Sequence, residues 1–141
     1  MKTVFADTLF WIARTKPGDP WTSAAKAAEL ALGEAVLVTT EEVLAEFVNA
    51  LRGSPDLRKL AVDAVRKILS APTVSVIPQT HESFLKGIEF FQSRPDKRYS
   101  LTDCISMNLL RERKIDAVLT NDHHFEQEGF AILIKEKRPP V

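Results

Sequence analysis

Four acidic residues stand where their carboxylates could be gathered: Asp7, Glu46, Asp103 and Asp122. Asp7 ends the apolar run Val4-Phe5-Ala6, and Asp122 follows Ala117-Val118-Leu119 after Thr120-Asn121. If both runs are strands of one parallel sheet, both acids lie beyond its carboxyl edge, where open α/β sheets bind ligands. Glu46 borders the apolar face that Val43, Leu44, Phe47, Val48, Ala50 and Leu51 form at helical spacing, with Glu42 one turn earlier on the same side. Asp103 comes three residues after Ser100, at the expected start of another helix, where a carboxylate is electrostatically favoured. Each acid also has an ordinary reading. Asp7 and Asp122 fit helix caps, Ser100-x-x-Asp103 fits a capping box, and Glu46 fits a solvated helix edge.

Taken together, the four imply a cation. Two carboxylates ~5 Å apart repel by roughly 3 kcal/mol at an effective dielectric of about 20, so such a cluster does not persist ionised and alone. The chain has one cysteine, Cys104, and three histidines in no zinc spacing; an all-oxygen set suits one or two Mg²⁺ or Mn²⁺ ions, which accept phosphate oxygens. Such ions lower the pKa of water and stabilise the attacking and leaving oxygens at phosphorus, the requirement for cutting a phosphodiester. Arg94, Lys97 and Arg98 precede the helix that carries Asp103 and are candidates for holding nucleic-acid phosphates. His123-His124 reads first as a helix cap or pocket rim and second as a ligand pair. Phe10, Trp11 and Trp21 read first as packing residues and second as base-stacking platforms.

Positioning these residues requires strands separated by helical crossovers. Strands are expected at Thr3–Ala6, Ala35–Val38, Val74–Ile77, Ala117–Leu119 and Phe130–Ile134. Helices are expected over Asp7–Ala13, Ser23–Leu32 (with Asp19-Pro20 as its start signal and Gly33 as its stop), Thr40–Arg52, Asp56–Leu69, Gln79–Ser93 and Ser100–Lys114. That alternation predicts a parallel sheet with helices on both faces.

The composition agrees with one globular domain spanning residues 1–141, whose last segment, 135–141, is a polar tail. Hydrophobic residues are 45% and charged residues 27%, which excludes disordered and fibrous classes. Lys plus Arg and Asp plus Glu are 19 each, so nucleic acid would be met through a local patch or a metal rather than a global basic field. No run reaches the ~18 apolar residues of a membrane span, and no signal-peptide core is present; a soluble, cytoplasmic protein is expected.

Five segments occur together in an order that resembles the PIN domain, the metal-dependent ribonuclease fold that includes the VapC toxins. They are Phe5-Ala6-Asp7-Thr8, Val38 to Phe47, Tyr99-Ser100-Leu101-Thr102-Asp103-Cys104, Leu119 to Phe125, and Gly129-Phe130. The resemblance implies a three-layer α/β/α fold with a central parallel five-stranded sheet. It makes Asp7, Glu46, Asp103 and Asp122 the catalytic, metal-holding acids, with Thr102 and Thr120 as hydroxyls that support them and Glu42 as an outer neighbour. It further implies an RNA substrate, hydrolysed by a metal-activated water to leave 5′-phosphate and 3′-hydroxyl ends, a homodimer, and a cognate antitoxin that enters the active groove. Two other functions stay open: a catalytically silent PIN-like binding domain, and an acidic-pocket receiver that accepts phosphate on an aspartate.

Overall fold

The computed structural model describes residues 1–137, and in it the apolar runs are strands and the periodic stretches are helices. The chain order is β1 (Lys2–Ala6), α1 (Thr8–Thr15), α2 (Thr22–Leu32), β2 (Ala35–Thr40), α3 (Glu41–Ala50), α4 (Pro55–Ser70), β3 (Val74–Ile77), α5 (His81–Ser93), α6 (Leu101–Arg113), β4 (Ala117–Leu119), α7 (His124–Gln127) and β5 (Ala131–Ile132). Of the polar tail expected over 135–141, Lys135, Glu136 and Lys137 are exposed, and residues 138–141 lie outside the described residues.

All five strands are parallel, in the order β3-β2-β1-β4-β5. β1 is central. Val4, Phe5 and Ala6 are fully buried, as an unbroken apolar run must be when helices cover both faces of a sheet. From β1 the chain steps outward to β2 and β3, then crosses back to β4 on the other flank. Right-handed crossovers put the helices of these two journeys on opposite faces. Accordingly α1 packs on α2, α3 and α4, while α5 packs on α6 and α6 on α7. The strand order reverses between β1 and β4, and a crevice opens there at the carboxyl edge.

The helix starts are set by side chains. Thr40, Ser54 and Thr80 accept hydrogen bonds from the amides of Val43, Leu57 and Ser83, and Pro55 occupies a first-turn position that needs no donor. Gly33 ends α2 with φ 63°, a conformation glycine adopts without penalty. The start of α2 differs from expectation. Asp19 accepts from the amide of Trp21, forming a turn ahead of the helix, and the first helical residue is Thr22.

The fifth strand is shorter than Phe130–Ile134. β4 offers only three residues, so the ladder ends at Ile132, although the amides of Leu133 and Ile134 still donate to Val118 and Thr120. The α7 turn was not expected; four residues are too few for a periodic signal. α5 and α6 meet so closely that a Cβ on Gly87 would lie 2.5 Å from Cγ1 of Ile105.

Candidate active site

Asp7 is the first residue beyond β1, and its side chain does not cap α1. Instead Oδ2 accepts a hydrogen bond of 3.1 Å from the hydroxyl of Thr120, beyond β4. The same hydroxyl accepts from the amide of Asp122 at 3.1 Å. One buried threonine thus couples the ends of two adjacent strands. Asp122 turns back to accept from the amide of His124 at 2.9 Å, which starts α7.

Asp103 does sit in a capping box. Its amide donates to Ser100 at 3.0 Å, and its Oδ2 accepts from the Ser100 amide at 3.1 Å. The capping and metal-holding readings are compatible, because a carboxylate has further lone pairs to offer. Glu46 comes from α3, packed on α1, and accepts from the hydroxyl of Thr8 at 2.6 Å. Deeper, Thr39 donates to the carbonyl of Ala6 and accepts from the indole of Trp11, fixing α1 over the end of β1.

The four acids line one cavity of about 660 Å³, together with Thr120, Arg98 and His124. A larger hollow, about 830 Å³ at the amino end of β2, contains none of them. Asp103, Asp122 and His124 present donor atoms within 4.8 Å of one another. The His124 Nδ1 lies 3.3 Å from Asp103 and 3.3 Å from Asp122. The neighbouring His123 instead pairs with Glu126.

The electrostatics agree with an anionic cluster short of counter-charge. Burial pushes the carboxyl of Asp7 up to about 7; the charges of Asp103 and Glu46 add to this, and the Thr8 amide and Thr120 hydroxyl oppose it. Asp103 is raised too, by burial first and then by the charge of Asp122, against the Ser100 amide and His124. Oxygen donors with one imidazole, gathered at one cavity, fit a hard divalent cation.

Not every residue singled out in the sequence reaches this cavity. Thr102 and Glu42 line a separate hollow beside the start of α5. Thr102 sits one residue, or about 100° of helix, from Asp103 and so faces another way. Arg94 is committed to Glu128 through two hydrogen bonds, at 3.1 and 3.2 Å. Lys97 lies 3.9 Å from Asp96. Of the three basic residues, Arg98 lines the cavity.

Sequence reasoning passed over Glu128. Its side chain is only 6% exposed, and Arg94, Arg111 and Tyr99 all donate to it. Burial would raise this carboxyl, but those hydrogen bonds outweigh it and hold it at about 2. Nothing local in the sequence marks it, because its partners lie 17 to 34 positions away.

The PIN domain family model matches residues 4–130. The structure of VapC20 from Mycobacterium tuberculosis, described as a sarcin–ricin loop cleaving toxin, is similar with a TM-score of 0.80 and 26% identity, covering 91% of this chain and 96% of that one. VapBC2 from Rickettsia felis, solved bound to a DNA fragment from its promoter, is similar with a TM-score of 0.66 and 13% identity over 92% of this chain and 96% of that one. FitAcB from Neisseria gonorrhoeae gives 0.62 and 13% over 92% and 96%. The two at 13% identity speak for the fold alone. A comparison with curated proteins finds no match. With the parallel five-stranded sheet, the acids at its reversal point and a family match over nearly the whole chain, the protein belongs to the PIN domain family.

Proposed function

We propose that this protein is a metal-dependent endoribonuclease, the VapC-like toxin of a toxin–antitoxin pair. The observation that carries this reading is the convergence of Asp7, Glu46, Asp103 and Asp122 on one cavity at the carboxyl edge of the sheet. The likeness to VapC20, described as a sarcin–ricin loop cleaving toxin, supports RNA as the substrate class.

Asp7, Glu46, Asp103 and Asp122 would hold one or two Mg²⁺ or Mn²⁺ ions, with His124 beside Asp103 and Asp122. Such an ion, when bound, lowers the pKa of water and stabilises charge on the phosphoryl oxygens. The protein supplies the rest. Thr120 orients Asp7 and the Asp122 backbone, Ser100 fixes Asp103, and Thr8 fixes Glu46. Counter-charge at the cavity would favour the ionised form of Asp7, whose carboxyl its surroundings otherwise push up to about 7. Arg98, which lines the cavity, would receive an RNA phosphate. Attack by water rather than by the ribose 2′-hydroxyl leaves 5′-phosphate and 3′-hydroxyl ends.

A cognate antitoxin is proposed because the neighbours include the VapBC2 and FitAcB complexes. A homodimer is supported by the exposed apolar stripe of Phe84, Leu85, Ile88 and Phe91 along α5. No helix among the described residues is long and apolar enough to cross a membrane; action on RNA in the cytoplasm is part of the same proposal. Incubation of purified protein with single-stranded RNA tests the reading: cleavage with Mn²⁺ that stops in EDTA supports it, and cleavage unchanged by EDTA contradicts it.

A further inference from the structure

We propose that Tyr99 and Glu128 are positioning residues for the acidic cavity: Glu128 anchors the Tyr99 phenol, and the Tyr99 ring holds His124 against Asp103 and Asp122. This rests on the reading of that cavity as a metal site.

Glu128 caps the end of α7, and its carboxylate is buried. A buried charge persists only when its lone pairs are filled, and here they are. Arg94 donates two hydrogen bonds from the end of α5, Arg111 donates one of 2.8 Å from the last turn of α6, and Tyr99 donates one of 2.8 Å from just before α6. One carboxylate therefore ties together the ends of three helices. The two guanidinium groups also cover the Phe90 ring, at 4.9 and 5.2 Å from its centre, which restricts them further.

Tyr99 carries this anchor toward the cavity. Its ring is 4% exposed and meets the His124 ring edge-on, with centroids 5.3 Å apart and an interplanar angle of 62°. Nδ1 of the same His124 ring lies 3.3 Å from both Asp103 and Asp122. Tyr99 also precedes Ser100, whose cap sets the first turn of α6 and hence Asp103. Asp103 in the first turn of α6 and Asp122 in the loop after β4 are thus referred to the same point, Glu128. Metal affinity depends on such outer contacts because they fix the ligands in a binding geometry before the ion arrives.

A purely structural tie would make a different prediction, so the test separates stability from ion binding. Mn²⁺ affinity is measured without RNA, by the electron paramagnetic resonance of free Mn²⁺ during titration of the full chain, alongside the melting temperature in EDTA. Tyr99→Phe keeps the ring and loses only the anchor; Glu128→Gln weakens the anchor at its source; Ile68→Val, in the distant α4 core, is the stability control. Tyr99→Phe is expected to fold and to bind Mn²⁺ about tenfold more weakly, Glu128→Gln to weaken it at least as much where it folds, and Ile68→Val to melt earlier with unchanged affinity. Wild-type affinity in Tyr99→Phe, with only the melting temperature lowered, overturns the proposal. A wild-type protein that takes up no Mn²⁺ overturns the metal site itself, and the positioning role with it.

Discussion

The hydroxyl of Thr120 donates to the carboxylate of Asp7 across 113 positions of chain, and that bond joins the two strand ends between which the sheet reverses its order. Thr120 is fully buried and serves both as donor to Asp7 and as acceptor for the Asp122 amide. Removing the hydroxyl takes a donor from the buried Asp7 carboxylate and an acceptor from the part-buried Asp122 amide. Thr120→Val is therefore expected to cost about 1–3 kcal/mol in stability and to lower RNA cleavage by about 10- to 100-fold. Thr120→Ser is expected to restore most of both. Urea melts and initial cleavage rates on the two variants check this; equal rates for Val and Ser would remove Thr120 from the site.

The raised carboxyl of Asp7 makes the stability of the metal-free protein depend on pH. Burial in the folded chain pushes it up to about 7, against an ordinary value of 3.8. Between those values the folded state holds the extra proton, so the contribution is fully present below pH 3.8 and is lost as pH rises through about 7. Asp7→Asn removes that dependence. In EDTA the variant is expected to be more stable than wild type at pH 8, by up to about 4 kcal/mol, and close to wild type near pH 4. Urea melts at the two pH values decide it, and a gain of the same size at both would mean that Asp7 does not titrate as the cavity requires.

Glu46 and Glu42 share a side of α3 by helical phase but differ in depth along the axis. Glu46 lines the acid cavity and meets Thr8, whereas Glu42, one turn nearer the start of the helix, faces the hollow beside α5. Glu46→Gln is expected to lower cleavage by at least about 100-fold. Glu42→Gln should stay within about twofold of wild type, because its side chain lies outside the acid cavity. Steady-state rates at saturating Mn²⁺ are the measurement, and equal losses would mean that the two hollows act as one site.

Gly87 tests the packing that holds α5 on α6. Alanine there gains about 1 kcal/mol in helix propensity but places a methyl 2.5 Å from the Ile105 side chain, an overpacking that costs about 1–3 kcal/mol. Gly87→Ala is expected to lower the melting temperature while leaving the rate per folded molecule unchanged. A higher melting temperature would show that Ile105 moves aside freely.

Much of this was legible in the sequence because it is local. The strands Val74–Ile77 and Ala117–Leu119 have the bounds that their apolar runs set, and the cap at Thr40 and the capping box at Ser100 follow from residue type and spacing. Parallel topology then brings strand-end acids to one edge, so Asp7 and Asp122 could be paired without a structure. What was hidden depends on tertiary contact. Thr102 has the right type beside Asp103 but the wrong angle around α6, and Arg94 precedes the site in sequence yet turns away to Glu128. Glu128 itself carries no local signature, since its burial exists only once α5, α6 and α7 have met.

The most direct measurement is the chemistry of the ends left on single-stranded RNA. With Mn²⁺ or Mg²⁺, wild-type protein is expected to yield 5′-phosphate and 3′-hydroxyl ends, and EDTA or Asp103→Asn to abolish cleavage. Undiminished cleavage in EDTA that leaves 2′,3′-cyclic phosphate would contradict the acidic cavity as a metal-dependent hydrolytic site.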